Sequence, residues 1–435
     1  MRKIHKFHIE NTTLFKKRLL AKSQVLEYSS ILDSNRSLDI LNTPPDYIQY
    51  DLIAGIDALH IIRSEHNSFS ELKNFHSTYK DWMFGFLSYD LKNEIEDLTS
   101  ENFDGIESPN LFFFVPRYVL MLKKEILEVH SYDSRSVCKN FLWDINVYND
   151  DVNLTIPLMS REKKQSYINK VINIKEHIKR GDIYEMNYCQ EFFAEGVSLN
   201  PEHIFFLLNN KSQSPFSSFV KLKEFNIICA SPERYIKKCH NKIISQPIKG
   251  TGKRGNNKLQ DKKFYHDLQE SKKDITENIM IVDLVRNDLS VTASKKSVEV
   301  IELCKVYKFK GVHQMISTIT STIKDDKCFI DLLKTTFPMG SMTGAPKIRA
   351  MQLIDFFEEF KRGIFSGSCG YITPQGDLDF NVIIRSIIYN KEKKYLSLSV
   401  GGAITINSDP YNEYEECLLK AKQIFEVLDF KIYDR

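Results

Sequence analysis

Lys249 sits between an apolar residue and a glycine in "QPIKGTGKRG" (246–255), a stretch that also holds Gly250, Gly252, Gly255 and the basic pair Lys253–Arg254. Glycines at this density let a backbone turn sharply or approach a ligand closely, so Lys249 has two readings: a reactive amine, or half of a solvated basic turn. A phosphate-binding loop is excluded by spacing, because that motif ends in Lys followed by Ser or Thr, and Lys253 is followed by Arg254. Acidic pairs offer a second chemistry. In "KKDITENIMIVDLV" (272–285) Asp274 and Glu277 fall on one helix face, and in "YNEYEECLLKAKQI" (411–424) Glu413, Glu416 and Lys420 fall together. Two such pairs could give hard oxygen ligands to Mg2+, or could be ordinary exposed ion-pair faces. Arg385 lies in the apolar run "FNVIIRSIIY" (380–389), read as a strand, where its charge needs an anionic partner or ligand. The loop "FPMGSMTGAPK" (337–347) runs into a helix near Pro346, and Thr343 could cap that helix or hold an anion. Gly401 and Gly402 in "VGGA" (400–403) could turn the chain tightly or present amides to a carboxylate.

These residues need elements to hold them. Tyr167, Val171, Ile174 and Ile178 repeat at helical spacing, with Gly181 as the stop and a strand to follow. Helices are expected at 264–286, 345–360 and 411–428, the first with Ile275, Ile279 and Val282 as its apolar stripe and the last with Cys417, Ala421 and Ile424. Strands are expected at 226–230, 365–373, 380–389 and 395–400, with "TPQGD" turning between the second and third. Before residue 150, "WMFGFLSYDL" (82–91) and "NLFFFVPRYVLML" (110–122) read as buried strands. The mixture is α/β or α+β. Asn/Asp clustering in "VYNDDVNLTIPLMSREKK" (147–164) marks a seam between an N-terminal region, 1–150, and a main region, 151–435.

The composition sets limits. With 435 residues, 42% of them hydrophobic, the chain can bury a large core. Sixty basic residues against 57 acidic ones leave a net charge of +3, so no whole-chain field points to nucleic acid. Eight cysteines form no CxxC pair, which disfavours a zinc site and a disulfide framework and fits reduced thiols in a cytoplasm. No apolar run reaches the roughly 18 residues that a membrane span requires, and "MRKIHKFHIENTT" carries no export signal, so neither membrane nor export is expected.

Seven segments, "GDIYEMNYCQ", "SPERY", "PIKGTGKRG", "ENIMIVDLVRNDL", "GSMTGAPKIRAM", "SGSCGYI" and "EYEECLLKAK", occur in the order found in the chorismate-utilising enzymes. The chain resembles that family over roughly residues 160–428. The resemblance implies a large sandwich of two sheets with helices outside. Lysine after "PI" is similar to the aminodeoxychorismate synthase branch, where anthranilate synthases generally have alanine. In that branch Lys249 attacks C2 of the chorismate ring as the C4 hydroxyl leaves, and ammonia then enters at C4 and expels the lysine. The product is 4-amino-4-deoxychorismate, a precursor of 4-aminobenzoate and folate.

The same resemblance assigns the other residues. Mg2+ holds the ring carboxylate, with Glu277 and Glu416 as ligands and Asp274 and Glu413 in support. Tyr371, Arg385 and the backbone at Gly401 and Gly402 meet the other carboxylate, and Lys420 and Thr343 add contacts. His313 in "VHQMIS" matches the family histidine, and Glu233 in "SPERY" matches the acid/base that helps the hydroxyl leave. Glu185 stands where many amine-transferring relatives have Gln and the hydroxylating ones have a water-activating Lys, which argues against isochorismate or salicylate synthesis and leaves its own role open. No glutaminase Cys-His-Glu set is evident, so ammonia is expected from a separate glutamine amidotransferase subunit. The segment "QVLEYSSILDSN" (24–35) lacks a clear Leu-Leu-Glu-Ser feedback motif, and tryptophan inhibition is not expected. The alternatives are anthranilate synthase component I and an inactive chorismate-binding regulatory subunit.

Overall fold

The run Leu111–Lys123 buries every residue except Arg117 and Lys123, so it is a strand covered on both faces. Such strands dominate the computed structural model, which describes residues 1–35, 50–144, 156–309 and 311–430. The boundary expected between residues 150 and 151 lies outside the described residues. The first stretch gives β1 (Lys3–His8), α1 (Thr12–Gln24), β2 (Tyr28–Asp33), β3 (Leu52–Ser64), α2 (Ser68–Tyr79), β4 (Met83–Leu87), β5 (Leu111–Lys123), β6 (Ile126–Ser131) and α3 (Arg135–Trp143). Next come β7 (Met159–Ser160), α4 (Lys164–Lys179), β8 (Glu185–Ala194), α5 (Pro201–Ser212), β9 (Phe216–Leu222), β10 (Phe225–Ser231), β11 (Arg234–Cys239), β12 (Lys242–Gln246) and β13 (Ile248–Lys253). After these come α6 (Lys258–Gln269), α7 (Lys272–Thr292), β14 (Glu299–Lys308), β15 (Val312–Thr322), α8 (Phe329–Thr336), β16 (Gly344–Ala345) and α9 (Lys347–Phe357). The last are β17 (Ser368–Ile372), β18 (Leu378–Asn381), β19 (Ser386–Asn390), β20 (Tyr395–Ile404) and α10 (Pro410–Val427).

Every pairing between these strands is antiparallel, and the pairings run on continuously as two branches. One branch is β8–β20–β19–β10–β9–β2. The other is β4–β17–β18–β11–β12–β15, with β13 and β14 also on β15. The long β3–β5 ribbon joins them: Leu52–Ile56 pair with β2, Leu111–Phe114 pair with β4, and a register shift between Ala58 and His60 separates the two ends. Phe84, Phe114, Val220 and Ile227 share a core between the branches. α4, α5 and α10 cover one outer face with Tyr167, Leu208 and Ile424. α2, α7 and α8 cover the other with Leu72, Val282 and Leu333. The molecule is therefore a mixed α/β sandwich with outer helices, each of those side chains contributing roughly 1.5–3 kcal/mol by leaving water.

Three sequence expectations change in detail. The helix expected over 264–286 is two helices, α6 and α7, because Ser271 interposes a cap: its Oγ accepts from the Asp274 amide. On α7 the buried face carries Glu277, Asn278, Ile281 and Val282, while Ile279 is exposed. The strand expected over 380–389 breaks between β18 and β19, and Arg385 sits in the break at φ 51. The "TPQGD" turn forms as expected, closed by the Thr373 amide donating to the Asp377 carbonyl at 2.8 Å. Among the described residues no helix is long and apolar enough to cross a membrane.

Candidate active site

Alternation along β8 points Glu185 and Cys189 away from the face that carries Met186, Tyr188 and Phe192. Lys249, one residue into β13, reaches across to it: Nζ donates to Glu185 Oε1 at 2.6 Å, with Lys249 8% and Glu185 1% exposed. The second oxygen, Glu185 Oε2, has no hydrogen-bond partner. Asn278 of α7 anchors the strand from behind, its Nδ2 donating to the Lys249 carbonyl at 3.4 Å and the Met315 carbonyl at 3.3 Å. Gly250 is required twice over, since its φ is +95° and a Cβ there would lie 2.9 Å from Asp274 Cβ.

Glu233 lies between β10 and β11 and is also buried. Burial pushes its carboxyl up to about 7, against the opposing pull of Ser341, Lys249, the Ile248 backbone and Arg385. Arg385 makes no side-chain hydrogen bond among the described residues; burial lowers its guanidinium below the usual value while Glu233 raises it. A carboxyl that holds a proton near neutrality therefore faces a cation with donors to spare.

The acidic residues of α7 and α10 meet around Lys273. Its Nζ lies 3.2 Å from Glu413 Oε1 and 4.0 Å from both Glu277 Oε1 and Glu416 Oε2. Burial pushes Glu277 up to about 7, with Lys249 the main opposing charge, and Glu277 Oε1 has no hydrogen-bond partner. Glu416 is held below the ordinary carboxylate range chiefly by Lys420, whose Nζ pairs with Glu416 Oε1 at 2.9 Å and donates to the Gly401 carbonyl at 2.9 Å. Gly402 keeps the space open, since a Cβ there would stand 3.2 Å from Glu413 Oε2. Asp274 turns to the helix start instead, its Oδ2 accepting from the Ser271 hydroxyl. The described residues hold no ready-made group of three metal ligands. Three hard carboxylates drawn to one ammonium, one of them with a bare oxygen, nevertheless suit Mg2+ better than a softer ion.

Three more residues singled out from the sequence have their surroundings fixed by the fold. Thr343 is fully buried beside the β16–β8 pairing at Glu185, but its hydroxyl faces the Met339 and Gly340 carbonyls, and α9 begins only at Lys347. His313 is buried on β15 with Nε2 3.0 Å from Asp261 Oδ1, and its Nδ1 has no partner. Tyr371 is not brought to Lys249. The pleat of β17 turns its ring against Trp82 and Phe84, into a cavity shared with Asp33, Lys237 and Asp379. Lys273 was missed in the sequence, although its place four residues before Glu277 was a readable signal.

With fold and site in view, the class is clear: the chain belongs to the chorismate binding enzymes, whose family profile matches residues 42–426. It is 33% identical to aminodeoxychorismate synthase component 1 of Escherichia coli (strain K12) over 348 residues, 79% of this chain and 76% of that one. It is 31% identical to the anthranilate synthase component I-like protein of Synechocystis over 360 residues, 81% of this chain and 74% of that one. Among solved structures, anthranilate synthase component I from Streptococcus pneumoniae superimposes with a TM-score of 0.75 at 25% identity, covering 89% of this chain and 95% of that one.

Proposed function

We propose that this chain aminates chorismate at C4, giving 4-amino-4-deoxychorismate for 4-aminobenzoate and folate synthesis. The observation that carries the reading is the buried Lys249 amine with Glu233, a carboxyl raised to about 7, in its field. Lys249 is the nucleophile at C2. Glu233, protonated over much of the neutral range, delivers its proton to the departing C4 hydroxyl. Ammonia enters at C4 and expels the lysine. Arg385 has unspent donors for one substrate carboxylate, and Lys420, donating to the Gly401 carbonyl, stands beside the Gly401–Gly402 stretch of β20. Glu277 and Glu416, with Glu413 and Asp274 nearby, would hold Mg2+, which when bound supplies positive charge for the ring carboxylate.

A separate glutamine amidotransferase subunit supplies the ammonia in this reading, as the "component 1" of the relative's name suggests. We place the enzyme in the cytoplasm because its eight cysteines stand as thiols rather than disulfides. The test is product identification by mass spectrometry after incubating purified protein with chorismate, Mg2+ and ammonium. 4-Amino-4-deoxychorismate is expected. Anthranilate with pyruvate would make the chain an anthranilate synthase component, and binding without turnover would make it a regulatory subunit. Efficient use of glutamine by the isolated chain would remove the need for the partner.

A further inference from the structure

A buried carboxylate that is matched by one ammonium and keeps a bare second oxygen is poorly compensated for the loss of water. Glu185 is such a group, 1% exposed, with Oε1 2.6 Å from Lys249 Nζ and Oε2 unpartnered. Lys249 feels acidic groups from three further elements: Glu233 between β10 and β11, Glu277 on α7 and Glu416 on α10. Among the described residues only Glu185 is within hydrogen-bond reach of the amine.

We propose that Glu185 accepts the proton of the Lys249 ammonium and so generates the amine that attacks the ring. This assignment rests on the nucleophilic reading of Lys249. In the step an N–H bond of Lys249 breaks and an O–H bond of Glu185 forms, turning an ion pair into a neutral amine and a neutral acid. A dry pocket favours that exchange, because two buried charges disappear at once. The nitrogen lone pair then forms the bond to C2, the ring double bonds shift, and the C4–O pair leaves with the hydroxyl, which takes a proton from Glu233 and departs as water. When ammonia adds at C4 the double bonds shift back and the C2–N pair returns to Lys249. Glu185 gives its proton back to that amine, and the new C4 ammonium reprotonates Glu233. Chorismate and ammonia thus become aminodeoxychorismate and water, with both carboxyls reset. One carboxyl takes a proton from the nucleophile while the other gives one to the leaving group.

The test compares Glu185→Gln, Glu185→Asp, Lys249→Ala and the Glu185→Gln/Lys249→Ala double variant with chorismate, Mg2+ and saturating ammonium. A glutamine accepts a hydrogen bond but takes no proton. Glu185→Gln should therefore lower kcat at neutral pH by about 100-fold or more, leave KM for chorismate nearly unchanged, and recover rate at higher pH as hydroxide takes the proton in place of the carboxylate. The lysine–substrate adduct seen by intact-protein mass spectrometry should disappear at neutral pH and return at higher pH. In the Lys249→Ala background the same change should add nothing, because the proton it moves is gone. A wild-type kcat and pH profile in Glu185→Gln would overturn the assignment, as would an undiminished further loss in the double variant. Wild-type rates in Lys249→Ala would instead overturn the nucleophile itself, a separate outcome. Should Glu185→Gln not fold, Glu185→Asp decides: a slower rate with its profile moved to higher pH supports the role, and an unchanged profile ends it.

Discussion

At one end of β8, Glu191 accepts from Arg161 Nε at 2.6 Å, from Ser397 Oγ at 2.6 Å and from the Tyr395 hydroxyl at 3.2 Å on each oxygen. At the other end of the same strand, Glu185 has one contact, to Lys249, and one bare oxygen. Both are buried and both have a cation. What separates them is spare acceptor capacity: Glu191 has none, and its surroundings read as architecture. Glu358 repeats the satisfied pattern, accepting from Arg362 at 2.9 and 2.6 Å and from the Cys189 amide at 2.9 Å. A buried charge with every acceptor used holds a fold together, whereas one with an acceptor unused is available to chemistry.

That contrast can be broken most directly at its ends. Lys249→Ala should cut the initial rate by about 100-fold or more and abolish the substrate adduct, while the exposed Lys253, stacked over Phe264, should tolerate alanine with under about 0.5 kcal/mol lost. Equal rates for the two variants would erase the distinction. Glu191→Ala should do the reverse, leaving the folded protein's kcat within about twofold but removing about 3 kcal/mol of stability by stranding Arg161. Urea unfolding checks this, and an unchanged midpoint would show that the satisfied end is not structural.

Glu233 sharpens the comparison through pH. Its carboxyl is raised from the ordinary 4.5 to about 7, so the folded state holds a proton that the unfolded chain has released. That contribution is present in full below pH 4.5 and is lost as pH rises through about 7, a cost of up to roughly 3 kcal/mol. Glu233→Gln should therefore be more stable than wild type at pH 8 and should flatten the decline between pH 5 and pH 8. Parallel declines in thermal unfolding would contradict the burial argument. The smallest effect is at the acidic cluster. Lys273→Met should tighten Mg2+ binding about tenfold by removing a competing ammonium, roughly 1.4 kcal/mol, whereas Glu277→Gln or Glu416→Gln should weaken it. Calorimetry without substrate decides, and weaker binding in Lys273→Met would show that the lysine supports the ion.

Much of this site was legible because helices and glycines write short-range rules. Spacing put Glu277 beside Asp274 and Glu416 beside Glu413, and Gly250 announced a backbone that only glycine adopts. The Glu185–Lys249 contact could not be read that way, since β8 and β13 belong to different branches and their meeting is a property of the closed sandwich. Tyr371 shows the limit of likeness, because a matching motif names a residue but the pleat decides which way it faces. In "FNVIIRSIIY" the apolar run continued through the break at Arg385, so hydrophobicity hid the one left-handed residue in it. The Ser271 cap was in the sequence as Ser followed three residues later by Asp, and the helical period on both sides outweighed it.

The β4–β17 pairing has a consequence for synthesis. Gly85 waits for Gly370, and the Ser88 hydroxyl finds the Gly363 carbonyl across 275 residues. On the ribosome β4 therefore emerges with β5 along one edge and nothing along the other, and β2 likewise waits for β9. Phe84 and Phe86, fully covered in the finished molecule, have only part of that cover during the interval, with Phe114 and Phe112 in place and Tyr371 not, and an open apolar edge is a template for another nascent chain. Slower initiation, which spaces nascent chains apart, and helpers that shield strand edges should therefore raise the yield of folded protein without any change to the active site.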